Sequence, residues 1–183
     1  MTLISTLRRY CKAETGVAAI EFAFILPFML LLYFGLLDLT GLVSANRKMT
    51  STASVVADLV GQSNATITAA KISDYMLVAG MISNPLPASG VKVRVTDYRL
   101  SGGAAAQQWT QSSTAGPACA APNTSDMTTL MTAGNDIVVA QACMVYVPFI
   151  ATFLGDSILG AATFNVQQDI MVRPRSSLTL NRV

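Results

Sequence analysis

The hydrophobic pattern of the chain begins with one long apolar run. From Val17 to Leu37, every residue except Glu21 is apolar, glycine or proline. A helix of about 20 such residues, rising about 1.5 Å for each, is long enough to cross the hydrocarbon core of a bilayer. A cleavable secretory signal would have a shorter apolar region that is closed by small residues, and this run has no such end. We therefore predict a transmembrane helix over residues 17–37.

After Leu37 the apolar residues follow the period of a helix that buries one face. Their spacings are three, four or the sum of the two: Leu42, Met49, Ala53, Val56 and Val60. Gly61 is a natural end for this helix, because glycine readily adopts the left-handed conformation that terminates many helices. The pattern predicts one long helix over residues 17–61, with its second half outside the membrane. A break near Gly41, giving two separate helices, is the alternative.

A second amphipathic helix is predicted next, from about Thr66 to Ile82. Thr66 or Thr68 can cap its start, and Asn84-Pro85 stops it. The polar residues between the two helices form a short connection. The helical part of the chain thus ends before residue 90.

The rest of the chain follows a period of two, which is typical of strands. The segments "VKVRVTDYRL" and "AAQQWTQS" are predicted to form a hairpin across Gly102-Gly103. Two later strands each have one apolar face: Ile137, Val139, Cys143, Val145 and Val147 in the first, and Phe164, Val166, Ile170 and Val172 in the second. The predicted fold class is α+β: the long N-terminal helix, the second helix, and a small antiparallel sheet of about four strands packed on the outer half of the long helix.

The net positive charge of the chain is confined to its first residues. The chain has 12 Lys and Arg against 10 Asp and Glu, and the net charge of +2 is already reached by Arg8, Arg9 and Lys12 against Glu14. The remainder is neutral overall, so no basic patch indicates nucleic-acid binding. Cations that precede a transmembrane helix favour the cytoplasm. We therefore predict a cytoplasmic N-terminus and a translocated domain after the span.

Cys119 and Cys143 are predicted to form a disulfide. Cys11 lies on the cytoplasmic, reducing side, so these two are the only pair in the oxidising compartment. A bond that closes a loop of about 24 residues stabilises a domain by roughly 3 kcal/mol in the chain-entropy model. Two free buried thiols are the alternative. Because the chain has no histidine and few cysteines, we predict no metal site and no cofactor.

No segment has the residue pattern of a catalytic site. Histidine, the commonest general base, is absent. The Ser, Asp and Lys residues form no nucleophile elbow, phosphate-binding loop or paired-carboxylate motif. The sequence therefore predicts a protein that is not an enzyme and has no small-molecule substrate, and an anchored hydrolase is the weakest alternative.

The start of the apolar run contains a recognisable motif. Gly16 is followed by four apolar residues and then by Glu21 and Phe22. This spacing after a short basic leader resembles the recognition site of prepilin peptidase, most closely the G-xxxx-E-[FY] motif of Tad-type (Flp) pseudopilins. Together with Pro27, it makes the beginning of the chain similar to TadE-like proteins. The segment "VRPR" at 172–175 resembles their C-terminal part more weakly.

The resemblance implies a pilin-like version of this α+β fold and a minor pseudopilin that helps to assemble or initiate a Tad (Flp) type IV pilus and mediates surface adhesion or colonisation through it. The chain then has a cytoplasmic prepilin leader (1–16), the long helix (17–61) with its transmembrane half (17–37), and a periplasmic α+β domain (62–183). It crosses the bacterial inner membrane once, and its incorporation into the pilus stays open. The implied partners are the inner membrane, prepilin peptidase and other pilins or pseudopilins. An uncleaved, single-pass periplasmic assembly or adhesion factor is the alternative, and the TadE and TadF roles are not distinguished.

The resemblance also assigns roles to individual residues. Cleavage is implied between Gly16 and Val17, which leaves a Val17 α-amine that is largely cationic at neutral pH. Glu21 lies one helical turn further and can pair with this amine or with that of a neighbouring subunit, which fixes axial register. Phe22 completes the motif, and Pro27 would let subunits repack during assembly. The alternatives are a Glu21 that only extends to water and a Pro27 that is a tolerated kink.

Overall fold

The computed structural model of the protein describes residues 16–84, 86, 90–155 and 162–183. The predicted leader before Gly16, including Cys11, lies outside the described residues. The chain divides into two compact units, Met1–Thr40 and Gly41–Val183. The first described element, helix α1, begins in the first unit and ends in the second.

Helix α1 is Gly16–Gly61, 46 residues without a break at Gly41. The prediction of one long helix is confirmed, and the alternative of two helices does not hold. Among its described residues, none before Ala45 is buried. It is long and apolar enough to cross a membrane, and no other helix in the described part of the chain is.

The second half of α1 has the single buried face that its period predicts. Its buried residues are Ala45, Met49, Thr52, Ala53, Val56, Ala57, Val60 and Gly61. The predicted position Leu42 is half-buried and packs against the same core. Burial of each large apolar side chain in such a core contributes roughly 1.5–3 kcal/mol. Packing in the core of the second unit therefore stabilises the second half of α1.

A short strand precedes the second helix. Strand β1 (Thr66–Ile67) pairs in parallel with strand β6 (Asn181–Arg182) near the C-terminus. Helix α2 follows as Ala69–Ile82, so it begins later than the predicted Thr66. Thr68 is the N-cap and accepts a hydrogen bond from the Lys71 amide. The backbone of Thr66 and Ile67 is used by the strand, which explains the later start.

The main sheet is antiparallel and has the strand order β3-β2-β4-β5. Its strands are β2 (Val91–Ser101), β3 (Ala104–Ser112), β4 (Asp136–Tyr146) and β5 (Phe164–Val172). The hairpin between β2 and β3 turns at Gly102 and Gly103, whose φ angles of 60° and 81° fit a two-residue turn that glycine favours. The predicted α+β fold with a four-stranded antiparallel sheet is confirmed.

The burial of β4 differs from the prediction. The face that joins the core of α1 carries Val138, Ala140, Ala142 and Met144. The opposite face, with Ile137 and Val139, packs on Tyr98, Met127 and Met131. The predicted face continued to Val145 and Val147, but both are exposed. A central strand that is covered on both sides has no polar face, so its alternation could not indicate which face meets the helix.

Two short helices were not predicted. Helix α3 (Thr124–Leu130) covers the second face of the sheet through Met127, and helix α4 (Phe149–Leu154) follows β4. Segments of six or seven residues contain less than two turns, so they have no readable period. Tertiary packing, rather than a local pattern, defines them.

Candidate assembly site

The predicted cleavage residues are the first described residues of α1. Gly16 and Val17 are both exposed. A protease binds an extended segment, and glycine has no side chain to obstruct its approach.

Glu21 lies one turn beyond Val17 on the same side of α1. The spacing of four residues brings the two positions next to each other along the helix surface. Glu21 is exposed, and no described residue forms an ion pair with it. Any charged partner must therefore come from the residues before Gly16, from the new N-terminus after cleavage, or from another molecule.

Residues 17–37 of α1 present exposed apolar side chains all along the helix. The exposed residues include Ile20, Phe22, Phe24, Ile25, Phe28 and Leu30. A helix that is apolar all round requires lipid or other helices around it. Pro27 lies within this part of α1, and because it has no N–H it leaves one carbonyl of the preceding turn without its helical partner. Phe22 and Pro27 thus belong to the same exposed apolar part of α1 as Glu21.

The disulfide lies in the second unit. Cys119 and Cys143 are bonded, with an S–S distance of 2.05 Å and a Cα–Cα distance of 5.5 Å. The adjacent Ala120 carbonyl accepts hydrogen bonds from Gln141 Nε2 at 3.2 Å and from Gln167 Nε2 at 3.3 Å. The bond therefore fastens the connection before α3 to strand β4, where side-chain amides also hold it.

A buried acidic pair, Asp97 in β2 and Asp136 at the start of β4, was not predicted from the sequence. Asp97 and Asp136 have no exposed surface, and Arg99 forms a two-point ion pair with Asp136, with Nε 2.6 Å from Oδ1 and Nη2 2.8 Å from Oδ2. Burial, together with the negative charge of Asp136, raises the pKa of Asp97 to about 8. Asp97 is therefore mostly protonated at neutral pH, and the cluster is close to neutral overall.

Asp136 also fixes the C-terminal segment of the chain. Its backbone N–H donates to the Leu178 carbonyl at 2.8 Å, and its Oδ2 accepts from the Leu180 amide at 2.6 Å. The indole N–H of Trp109 donates to the Leu180 carbonyl at 3.0 Å. The Leu180 side chain is consequently buried in the core. In the sequence, Asp97, a charged residue within the alternating segment "VKVRVTDYRL", was the available signal of this cluster.

The "VRPR" segment contacts the end of α1. The Arg175 amide donates to the Gly61 carbonyl at 2.8 Å, and its guanidinium pairs with Asp58 in the last turn. A terminal carbonyl of a helix has no partner within the helix, so this contact satisfies one. The Arg173 guanidinium donates to the Leu130 carbonyl. This segment thus holds the C-terminal end of α1 within the second unit.

The described residues contain no group of three or more metal-ligating side chains that could hold an ion. The features that remain are the exposed start of α1 with Glu21 and the domain that holds its end. The first of these presents both Glu21 and a large apolar surface to other molecules.

The comparison with known proteins concerns the same region. A family model described as TadE-like protein matches residues 16–58. No curated protein and no solved structure matches the chain significantly. The matched region contains Gly16, Glu21, Phe22 and Pro27 and extends into the last turn of α1. The resemblance of this chain to TadE-like proteins is therefore confirmed over residues 16–58.

Proposed function

We propose that the protein is a minor pseudopilin that helps to assemble or initiate a Tad (Flp) type IV pilus. Its similarity to the TadE-like family indicates a component associated with that pilus. The observation that carries the finer proposal is the exposed apolar half of α1, in which Glu21 lies one turn from Val17 and has no described ion-pair partner. Its function is structural, through contacts with other pilins, and adhesion or colonisation follows through the pilus.

The proposed topology places the N-terminus in the cytoplasm and residues 62–183 in the periplasm, with one crossing of the inner membrane. The cations of the leader, Arg8, Arg9 and Lys12, support the cytoplasmic side. The disulfide between Cys119 and Cys143 supports an oxidising compartment for the domain. Prepilin peptidase and other pilins or pseudopilins are the proposed partners.

Processing at Gly16 would create a positively charged partner for the Glu21 carboxylate. Cleavage leaves the Val17 α-amine at the start of α1, and this amine is largely cationic at neutral pH. In the apolar surroundings of a membrane or a filament, pairing with an amine offsets much of the cost of burying a carboxylate. Pairing with the amine of a neighbouring subunit would also fix the axial register between two α1 helices, and Pro27 would allow the local repacking that extraction from the bilayer requires.

The second candidate is an uncleaved periplasmic assembly or adhesion factor that uses α1 only as an anchor. The same apolar surface supports it, because a simple anchor also needs lipid on all sides. The two candidate functions differ in whether the bond between Gly16 and Val17 is cleaved, because only the pseudopilin loses its leader.

Intact mass tests this difference. The full chain is expressed with prepilin peptidase or with a catalytically inactive form of it, extracted from membranes and weighed, and its N-terminus is sequenced. We expect loss of the leader and a mature chain that begins at Val17. Gly16→Arg should prevent the change, whereas Ala13→Arg, which adds the same charge within the leader, should not. A full-length chain in the presence of active peptidase would refute the pseudopilin and favour the simple anchor.

A further inference from the structure

One end of the main sheet carries exposed apolar side chains. Val147 and Phe149 follow the last residue of β4 and are both 52% exposed, and Phe164, the first residue of β5, is 50% exposed. Phe164 is the register partner of Tyr146, so the two strands place these residues at the same end of the sheet. We call Val147, Phe149 and Phe164 the apolar end.

The described residues at the apolar end carry no charge. Residues 147–155 and 162–163 include no Asp, Glu, Lys or Arg, and Asp156 of the same connection lies outside the described residues. The other end of the sheet is different, because Asp136 and Arg99 lie there and Arg173 follows the end of β5. Single exposed apolar residues are ordinary, but three of them at one end of a sheet indicate a surface that is covered by something apolar.

The position of Gly41 relates this end to the membrane span. Gly41 is the first residue of the second unit, and the hydroxyl end of Tyr146 lies so close to it that an added Cβ would require the Tyr146 side chain to shift. Gly41 is four positions after Leu37, so the chain between them can extend at most about 14 Å, whatever its conformation. The apolar end begins one residue after Tyr146, so it belongs to the part of the second unit that the chain enters directly after the apolar run.

We propose that the apolar end lies in the headgroup and upper acyl region of the bilayer that α1 spans, so that lipid covers Val147, Phe149 and Phe164. The proposal rests on the membrane anchoring proposed above and adds a second contact with the same bilayer. Phenylalanine and other apolar side chains occur at this depth on surfaces that lie in the interface, and Val147, Phe149 and Phe164 themselves bring no charge into it. Because the apolar end has no basic residue, the contact does not require anionic lipid.

Depth-dependent quenching in the full chain tests the proposal. A Cys11→Ser background retains the native disulfide, and Val147→Cys and Phe164→Cys each provide one site for an environment-sensitive fluorophore. The variants are reconstituted in vesicles of phosphatidylethanolamine and phosphatidylglycerol, with or without lipids that carry a nitroxide on the upper acyl chain. Leu30→Cys, within the apolar run, reports on anchoring.

Leu178→Cys is the matched control for exposure. Leu178 is apolar and 70% exposed, but its carbonyl accepts from the Asp136 amide at the start of β4. Tyr146 is ten residues further along that strand, which corresponds to about 34 Å. We expect quenching at positions 147 and 164 that is several-fold stronger than at 178, and unchanged when phosphatidylglycerol is replaced by phosphatidylcholine.

Each other outcome overturns the proposal in a distinct way. Strong quenching at position 30, with quenching at 147 and 164 no greater than at 178, would refute the lipid contact while leaving the anchoring intact. No quenching at position 30 would refute the anchoring and the contact together. Fluorescence at 147 and 164 that shifts with the protein-to-lipid ratio, without quenching by the nitroxide, would show that a second copy of the chain covers this surface instead of lipid.

Discussion

The two halves of α1 are continuous in the chain but are covered by different surroundings. Residues 41–61 bury one face in their own domain, whereas residues 17–40 include no buried side chain. Two methionines show the contrast, because Met49 is 0% exposed and Met29 is 55% exposed. The second half therefore contributes to the folding of this chain. The first half has to be covered by lipid or by other subunits, which is what an assembly surface requires.

The same contrast separates two acidic residues. Asp97 is enclosed by its own domain, where burial and Asp136 raise its pKa to about 8, so it avoids a buried charge by keeping its proton. Glu21 lies in the apolar half of α1 and has no described ion-pair partner. One acid is accommodated within the fold, and the other depends on a group from outside it.

The largest expected effect distinguishes the two methionines. Met49→Ala removes a fully buried side chain and should lower the free energy of unfolding of the domain by about 2–5 kcal/mol. Met29→Ala is the matched change in the exposed half and should leave that free energy unchanged. Urea unfolding of the full chain in detergent, followed by the fluorescence of Trp109, the single tryptophan, measures both. Equal effects of the two changes would refute the division of α1.

The disulfide should be the next largest contribution, and it should act on the second unit alone. Replacing both Cys119 and Cys143 by alanine opens a loop of about 24 residues, which costs roughly 3 kcal/mol in the chain-entropy model. Cys11→Ser is the control and should have no effect. Alkylation of the native chain without reductant should label neither Cys119 nor Cys143, and quantitative labelling of both would show that the bond is absent.

The buried acid should give the domain a stability that depends on pH. The folded pKa of Asp97 is about 8 against an ordinary value of 3.8, so between these values the folded state holds more protons than the unfolded state. The free energy of unfolding should therefore fall as pH rises from about 4 to about 8, by at most about 1.4 kcal/mol for each pH unit.

Asp97→Asn keeps the shape of the side chain and removes its titration. The variant should lose this slope and become relatively more stable towards pH 8, while Arg99 and Asp136 remain paired. Unfolding curves of both proteins at several pH values measure the difference. An unchanged slope in the asparagine variant would assign the pH dependence to another group.

Local patterns predicted the features of this chain that depend on neighbouring residues. The period of the apolar residues located α1 and its end at Gly61, and the Gly102-Gly103 pair located the hairpin. In each case the physical cause lies within a few residues, either as one face of a helix or as glycine conformations in a tight turn.

Features that join distant parts of the chain could not be predicted in this way. The contacts of Asp136 with Leu180, and of Arg175 with the end of α1, join residues 44 and more than 100 positions apart. The second buried face of β4 arises because α3 packs there through Met127. For the assembly site, the motif supplied the positions of Gly16, Glu21 and Pro27, and the structure added that they lie on an uncovered surface.

The smallest expected effect on the fold is that of Glu21→Leu, and its effect on assembly tests the central claim. The change removes a polar group from the apolar half, so membrane insertion and the free energy of unfolding of the domain should not decrease. Pairing with the α-amine of a processed neighbour should be lost, because that cation then has no carboxylate partner. Ile20→Leu, which places leucine one position earlier, is the matched control.

Co-purification of other pilins with the extracted protein is the most direct measurement, together with piliation and the N-terminal sequence in the same strain. The account predicts a Glu21→Leu protein at normal levels, cleaved before Val17, with its disulfide intact, that retains few partners and supports few or no pili, while Ile20→Leu behaves as wild type. Normal cleavage together with wild-type co-purification and piliation in Glu21→Leu would contradict the account, and Glu21 would then be a carboxylate that only extends to water.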